Sequence, residues 1–355
     1  MSTTKTTTSH PAPSTQTSVS GKPLPAQMLE LIVGYWVSQM IYVAAKLGLA
    51  DHMQEPTTVA ALAERTKTHA PSLFRMMRAL AGAGVFTERA DGKFELTPLG
   101  AMLRSNVPGS MRGFALMMIE KYNWDSWQEL TYSITTGGVA LEKALGMKAF
   151  EFLEHHPEHA RIFGESMSSL SASEQPAIVQ AYDFSRFKKI VDVGGSHGSL
   201  LCAILAANPK LHGVLYDNPR VIADAKKAPH VTRKEVAGRV ELAGGDFFES
   251  VPSGADAYIM KYILHDWNDE LSHTLLSNIR KSIDKNGTLL AVDNVIPAGN
   301  DPHWGKLLDI NMLVLTGGKE RTEKEFRELY RRAGFELTRV VPTQCPLSIV
   351  EGKPI

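Results

Sequence analysis

The sequence predicts an α/β protein in which a mainly helical region precedes a doubly wound, largely parallel sheet. Three observations lead to this prediction. From residue 183 onward, short apolar runs alternate with helical patterns, which is typical of parallel strands joined by crossover helices. Within that region, the glycine-rich segment 190–200 links an apolar strand directly to a helix. Before residue 183, the spacing of the apolar residues favours helices.

The composition narrows the class of protein. A length of 355 residues suits two domains. Lysine plus arginine number 38, as do aspartate plus glutamate, and nucleic-acid binding normally shows as a basic excess, so no nucleic-acid partner is expected. Only two cysteines occur, too few for a disulfide framework or a cysteine metal site, which favours a cytoplasmic protein.

The first 53 residues divide into a polar and an apolar part. Residues 1–24 are rich in serine and threonine and lack the apolar core of a signal peptide, so we expect a disordered tail. Residues 27–53 are apolar almost all round a predicted helix. Such a helix needs burial on several sides, either in its own core or against a second copy of the chain. No apolar run of about 18 residues follows, so no membrane span is predicted.

Residues 57–104 predict a small winged helix. One helix starts at Thr58, a second runs from Pro71 to Leu80, and a hairpin turns at 91–93. This fold often binds DNA, but segment 72–80 carries only two arginines among large apolar residues. The pattern therefore favours a dimerisation scaffold, and we assign residues 25–108 to this first domain.

Residues 109–182 are expected to form a helical connector. The segment is dense in methionine, tryptophan, histidine and phenylalanine, which suits a pocket for an aromatic ligand. A plain helical core is the alternative. His155, His156 and His159 lack a clean metal-ligand spacing, so no metal site is predicted.

The last domain, residues 183–355, carries the sheet. Strands are expected near 189–194, 212–217, 239–245, 256–263 and 288–295, with a final pair near 335–343 and 346–351. The short link between the last two requires an antiparallel hairpin.

Two features at the start of this sheet indicate a nucleoside ligand. Gly194, Gly195 and Gly198 let a ligand approach the backbone where a helix begins, although purely structural turns share this pattern. Asp217 ends the next strand, where an acid can accept hydrogen bonds from ribose hydroxyls. The turn lacks the Gly-x-Gly-x-x-Gly dinucleotide fingerprint, so a nicotinamide is not indicated.

Five motifs, in order, carry a resemblance to a known family. They are residues 191–198, 216–219, 244–248, 261–267 and 317–322. Residues 25–351 resemble the S-adenosylmethionine-dependent methyltransferases, and within them the caffeate-type small-molecule O-methyltransferases. The resemblance implies a Rossmann-like class I fold with a mixed seven-stranded sheet, and a homodimer paired through the N-terminal helices. It further implies methyl transfer from S-adenosyl-L-methionine to a hydroxyl of a small aromatic metabolite, leaving S-adenosyl-L-homocysteine.

The resemblance also implies roles for individual residues. The donor contacts would be Gly194, Gly195, Asp217, Asn218, Asp246, Phe247 and Lys261. The acceptor contacts would be Met117, Trp124, Ala149, Leu153, Phe163, Met167, Asp309, Asn311 and Met312. The catalytic group would be His265 as general base with Asp293 and Glu320 as flanking acids, and which acid contacts the histidine stays open.

The chemistry of methyl transfer agrees with a histidine base. A phenol has a pKa of about 10, and a histidine side chain, with a pKa of about 6.5, is well suited to accept its proton near neutrality. His265 follows an apolar strand, at the sheet edge where such folds bind ligands. Two alternatives remain: a donor-binding relative with non-methylating chemistry, such as hydroxylation or decarboxylation, and a ligand-responsive regulator that uses the winged helix.

Overall fold

The computed structural model of the protein describes residues 22–355. Residues 1–21 of the expected tail lie outside the described residues, and the first helix begins at Leu24. The N-terminal part contains α1 (Leu24–Ile32), α2 (Gly34–Lys46), α3 (Val59–Thr66), α4 (Ala70–Gly82), β1 (Phe86–Glu88), β2 (Phe94–Leu96) and α5 (Pro98–Ala101). The strands β1 and β2 pair antiparallel, so the predicted helices and hairpin of the winged helix are confirmed.

Local sequence explains these elements. Thr58 caps α3, since its side chain accepts a hydrogen bond from the Ala61 N–H. Pro71 lies in the first turn of α4, where its missing N–H is tolerated. Leu62, Met77 and Phe94 are fully buried between the helices and the hairpin.

The apolar N-terminal segment is two helices rather than the single helix expected over 27–53, because the chain breaks at Val33. No residue of α1 is buried, and Leu24 and Leu31 are 71% and 77% exposed. The chain's own core therefore does not cover this surface. By length and hydropathy, α1 and α2 together are the one stretch within residues 22–355 that would also suit a membrane span.

The connector is helical, as predicted. It consists of α6 (Arg112–Ile119), α7 (Lys121–Gln128), α8 (Leu130–Thr136), α9 (Ala140–Leu145), α10 (Ala149–His155) and the long α11 (Pro157–Ala181). Its small core joins Tyr122, Leu141 and Phe152.

The C-terminal part holds the seven-stranded sheet. Its strands are β3 (Lys189–Val193), β4 (His212–Asp217), β5 (Val240–Gly244), β6 (Ala257–Lys261), β7 (Thr288–Asp293), β10 (Phe335–Pro342) and β11 (Ser348–Pro354). Their order is β10-β11-β7-β6-β3-β4-β5. Strands β3 to β7 are parallel to one another. Strand β11 is antiparallel to both β7 and β10, which confirms the predicted terminal hairpin.

Helices cover both faces of this sheet. They are α12 (Ser199–Ala207), α13 (Pro219–Ala225), α14 (Pro229–Thr232), α15 (Asp269–Ser282), α16 (Trp304–Leu315) and α17 (Glu323–Arg332). A short parallel pair, β8 (Val295–Ile296) with β9 (Arg321–Thr322), lies beside them. One apolar cluster includes Tyr258 and Tyr330, and a second includes Ile190 and Leu205. The doubly wound arrangement brings the carboxyl ends of β3, β4, β6 and β7 to one edge, where such folds bind ligands.

Candidate active site

A cavity of about 2710 Å³ lies at the carboxyl edge of the sheet. The turn after β3 and the ends of β4 and β6 form one side of it, and helices α6, α7, α10, α11 and α16 form the other. Four of the five sequence motifs and the connector therefore line one cavity, and the fifth, residues 317–322, reaches it through the contact of Glu320 with His265.

The glycine-rich turn is shaped by the chain's own side chains. Gly194 and Gly198 have φ angles of 71° and 80°, a region that favours glycine. A Cβ at Gly195 would lie 2.5 Å from Asp192 Oδ2 and 2.5 Å from Leu215 Cδ1. Gly195 therefore makes room for an aspartate and a leucine of the chain itself, in agreement with the structural alternative that the sequence left open.

Asp217 connects β4 to this turn. Its Oδ2 accepts a hydrogen bond from the Ser196 N–H and its Oδ1 from the Asn218 N–H, both at 2.7 Å. Burial raises the pKa of Asp217, opposed by these two donors. The Asn218 side chain instead caps α13 through the Arg220 N–H. Asp217 keeps lone pairs for further donors.

An aromatic corner follows β5. The Asp246 carboxylate accepts from the Phe248 N–H at 2.8 Å, which fixes the turn. The rings of Phe247 and Phe248 approach Trp267 with centroids 6.2 Å and 4.8 Å away. All four residues line the cavity, so this corner offers flat apolar surface beside a carboxylate.

Asp192 is a cavity residue that the sequence analysis did not assign. It is 2% exposed, and no donor contacts its Oδ2. Burial and then Asp217 raise its pKa to about 7, opposed by Lys261. An acid inside an otherwise apolar strand was the available signal. An unpartnered buried carboxylate oxygen fits a cationic group of a ligand.

His265 lies in the turn after β6, and Glu320 is its partner. His265 Nδ1 donates to Glu320 Oε1 at 2.7 Å, and the glutamate is 2% exposed. The neighbouring Arg321 donates to the Leu264 carbonyl at 2.8 Å, which holds the two loops together. The hydrogen bond leaves Nε2 as the ring nitrogen free to exchange a proton.

Acidic groups surround the imidazole. Burial lowers the pKa of His265, but Asp266, Glu320 and Asp293 together outweigh it and raise that pKa to about 9. Asp266 Oδ1 lies 3.6 Å from Nε2. The site therefore favours the positively charged imidazolium.

Asp293 makes no hydrogen bond to His265. It is fully buried, and neither of its carboxylate oxygens has a donor. Burial raises its pKa to about 7, and Glu320 adds to this while His265 opposes it. An ionised carboxylate without donors is unfavourable in such a place, which is why the pKa of Asp293 is raised so far above its ordinary value. Of the two acids, Glu320 is therefore the one that contacts His265.

The expected acceptor residues gather on the helical side, with one difference. The residues that line the cavity are Met117, Trp124, Ala149, Leu153, Phe163, Met167, Asn311 and Met312. Asp309 does not line it. Asp309 lies within α16, and its carboxylate accepts from the Glu320 N–H at 2.9 Å. Asp309 thus supports the loop that carries Glu320.

Two asparagine side chains are among the polar groups of this wall. Asn311 Oδ1 accepts from the Trp127 indole N–H at 3.1 Å. Asn123 donates to the Met117 carbonyl, is 2% exposed, and has no donor on its Oδ1. The sequence analysis missed Asn123, because one asparagine in a helical segment carries no distinguishing pattern.

Lys261 lines the cavity but is already paired. Its Nζ donates to Ser171 Oγ at 2.7 Å and to Glu174 Oε2 at 3.2 Å, both on α11. Within residues 22–355, no group of three or more histidine, cysteine or acidic side chains is arranged to hold a metal ion.

The fold and this site define a class I methyltransferase with an N-terminal pairing domain. Residues 127–336 match the O-methyltransferase domain family, and residues 29–106 match the O-methyltransferase dimerisation domain family. The chain belongs to this O-methyltransferase family, as the sequence predicted.

Individual relatives agree over nearly the whole length. A phenazine O-methyltransferase from Lysobacter antibioticus is 44% identical, with 94% of this chain and 97% of that protein covered. The crystal structure of LaPhzM has a TM-score of 0.88 at 44% identity, covering 94% of this chain and all of that chain. An O-methyltransferase from neocarzinostatin biosynthesis, solved with S-adenosylmethionine and a naphthoic acid, has a TM-score of 0.77 at 30% identity, covering 90% and 96%.

The protein is an S-adenosylmethionine-dependent O-methyltransferase. The predicted activity and cofactor are therefore confirmed. Neither the non-methylating enzyme nor the winged-helix regulator finds support in these comparisons.

Proposed function

We propose that this enzyme methylates a phenolic hydroxyl of a flat, uncharged, multi-ring aromatic metabolite of secondary metabolism, with His265 as the general base. The observation that carries the base assignment is the 2.7 Å hydrogen bond from His265 Nδ1 to Glu320. A carboxylate on one ring nitrogen fixes the tautomer and stabilises the imidazolium formed at the other.

The donor site is assigned to the turn after β3 and the neighbouring strand ends. Asp217 would accept from the ribose hydroxyls, and the unpartnered Asp192 Oδ2 from the donor's ammonium group. The aromatic corner of Phe247 and Trp267, with Asp246, would hold the adenine. Gly194, Gly195, Asn218 and Lys261 would complete the site. When bound, S-adenosylmethionine supplies a methyl group already activated by a positive sulfonium.

His265 acts on the acceptor oxygen. Its Nε2 would take the hydroxyl proton, and the resulting imidazolium is stabilised by Glu320 at Nδ1 and by Asp266, 3.6 Å from Nε2. Asp309 holds the Glu320 backbone in place. Asp293 would act as a buried acid near this pair rather than as its direct hydrogen-bond partner.

The charge pattern of the cavity supports an uncharged acceptor. Within residues 22–355, the helices α6, α7, α10, α11 and α16 contribute no lysine or arginine to the cavity lining, but they do contribute Glu154 and Glu174. A carboxylate on the acceptor that faces these helices would find no lysine or arginine of theirs to pair with, which is unfavourable. The Lysobacter relative is named for phenazines, and a fused three-ring phenol of that kind fits a cavity of this size.

A matched pair of acceptors tests this proposal. A hydroxyphenazine should gain one methyl group, seen by mass spectrometry, whereas the same compound with an added carboxyl group should show a kcat/KM lower by on the order of 10²-fold, because its charge is unpaired. Equal rates would overturn the uncharged acceptor. Labelled donor with no transfer to any member of a phenol panel would overturn the phenolic acceptor itself.

We further propose that two copies pair in the cytoplasm through residues 25–108, and that α1 and α2 supply the contact. The family match over residues 29–106 supports pairing. The uncovered apolar surface of α1 supports the location of the contact.

A further inference from the structure

Tyr262 has an unusual backbone. It follows β6 directly and has a φ angle of 58°, in the left-handed region that non-glycine residues seldom adopt. Its N–H donates to the Val292 carbonyl at 3.2 Å. Such a conformation persists only where the surrounding contacts hold it, and it is often found at functional sites.

The ring of Tyr262 lies against the imidazole of His265. The two ring centroids are 4.9 Å apart and the planes differ by 27°. A flat aromatic surface at this distance restricts the tilt of the imidazole. An aromatic face also interacts favourably with a cation, so the contact suits the imidazolium that forms when His265 accepts a proton.

The hydroxyl of Tyr262 binds a buried carboxylate on α11. It donates to Glu174 Oε1 at 2.7 Å, and Lys261 Nζ donates to Glu174 Oε2 at 3.2 Å. Glu174 is 5% exposed. Both carboxylate oxygens thus receive a donor from two consecutive residues after β6, so the pairing has a defined geometry.

Helix α11 also forms part of the acceptor wall, through Phe163 and Met167. A continuous set of contacts therefore runs from that wall, through Glu174 and Tyr262, to the plane of the His265 ring. Neither Glu174 nor Tyr262 takes part in the proton transfer proposed above.

We propose that Glu174 and Tyr262 are positioning residues that set the orientation of His265 and connect it to the acceptor-binding helix. This inference rests on the proposed role of His265 as the base. Tyr262 acts through its ring, and Glu174 acts by fixing that ring through the tyrosine hydroxyl.

Two substitutions separate these contributions. Tyr262→Phe keeps the ring and removes the hydrogen bond to Glu174, and Tyr262→Leu removes the ring as well. Because mispositioning of a catalytic group slows the chemical step by up to ~10²-fold, we expect kcat to fall by about 10-fold for the first and on the order of 10²-fold for the second. The acceptor KM and the donor Kd should stay within about twofold, since neither substitution changes a proposed contact to either compound.

Tyr258→Phe is the matched control. Tyr258 is a buried tyrosine on the same β6 strand, and its hydroxyl donates to the Pro252 carbonyl at 2.6 Å. Its loss should lower the melting temperature but not kcat. If the Tyr262 variants keep wild-type kcat, or lose no more than Tyr258→Phe, the inference is wrong.

His265→Ala distinguishes this failure from failure of the proposed function. A variant with full activity would remove the base assignment itself. A large loss in His265→Ala combined with unchanged Tyr262 variants would leave the base in place and overturn only the positioning role.

Discussion

His265 and Glu320 are 55 residues apart in sequence, yet their side chains share a short hydrogen bond in a buried site. The sequence motifs identified both residues, but only the fold shows which acid is the partner. Asp293 lies at the end of β7 with no donor on either oxygen. A carboxylate's side-chain partners depend on loop conformation, so motif spacing could not distinguish it from Glu320.

The raised pKa of His265 predicts an alkaline activity profile. The base must be neutral to accept a proton, and the surrounding acids hold its pKa at about 9, so kcat/KM should increase as pH rises toward that value and level off above it. Glu320→Gln removes a negative charge, so the rising limb should move to lower pH. Initial rates at saturating donor, from about pH 6 to about pH 10, provide the measurement.

His265→Ala is the reference for that profile. It should lower the chemical step by ~10²–10⁴-fold and remove the rising limb, while donor affinity measured by calorimetry stays nearly unchanged. A wild-type rate that does not vary with pH over this range would contradict the assignment of a charged resting imidazole.

At the level of elements, the strands were well predicted and some helix ends were not. The apolar runs near 189–194 and 212–217 match β3 and β4 closely, because a buried parallel strand requires continuous apolar residues. The break at Val33 was missed. Gly34 directly follows Val33, but a single glycine inside a continuous apolar pattern does not by itself predict a helix break.

The turn between β3 and α12 gives a prediction on donor binding. In Gly195→Ala, the added Cβ would lie 2.5 Å from Asp192 Oδ2, so the carboxylate must move. The charge-assisted hydrogen bond proposed between Asp192 and the ammonium group of the donor would then be lost. This loss should raise the donor Kd by about 10-fold or more. Isothermal titration calorimetry with S-adenosylmethionine measures the effect.

Gly82→Ala is the control for this turn. Gly82 lies at the end of α4, and nothing is within 4 Å of an added Cβ there, so the donor Kd should not change. An unchanged donor Kd in Gly195→Ala as well would show that the position of Asp192 does not matter for binding.

At the level of the whole molecule, the location of the site followed from topology alone. Alternating strands and helices placed the ligand at the carboxyl edge of the sheet, and the cavity lies there. The acceptor wall was predicted residue by residue from the family resemblance, and eight of the nine predicted residues line the cavity. Asn123 and the paired state of Lys261 depend on how the connector packs onto the sheet, which local sequence does not encode.

The uncovered surface of α1 predicts how the protein assembles. Leu31 is 77% exposed, and a glutamate there would place a charge in the proposed contact between copies, so Leu31→Glu should shift the protein from dimer to monomer in sedimentation experiments. Ile134→Glu is the control, because Ile134 on α8 is 63% exposed but lies far along the chain from this surface. If the Leu31→Glu variant stays dimeric while the Ile134→Glu variant dissociates, the proposed location of the interface on α1 is wrong.

Helix α2 contributes both to the cavity and to the exposed apolar surface proposed for pairing. Tyr35 and Ser38 line the cavity, with the Tyr35 ring 6.1 Å from that of Trp124, while Trp36 on the same helix is 54% exposed. A shift of α2 when two copies associate would therefore change the cavity wall and the affinity for the acceptor. Thermodynamic linkage is reciprocal. If dimerisation changes the affinity for the acceptor by some factor, acceptor binding must change the dimerisation constant by the same factor.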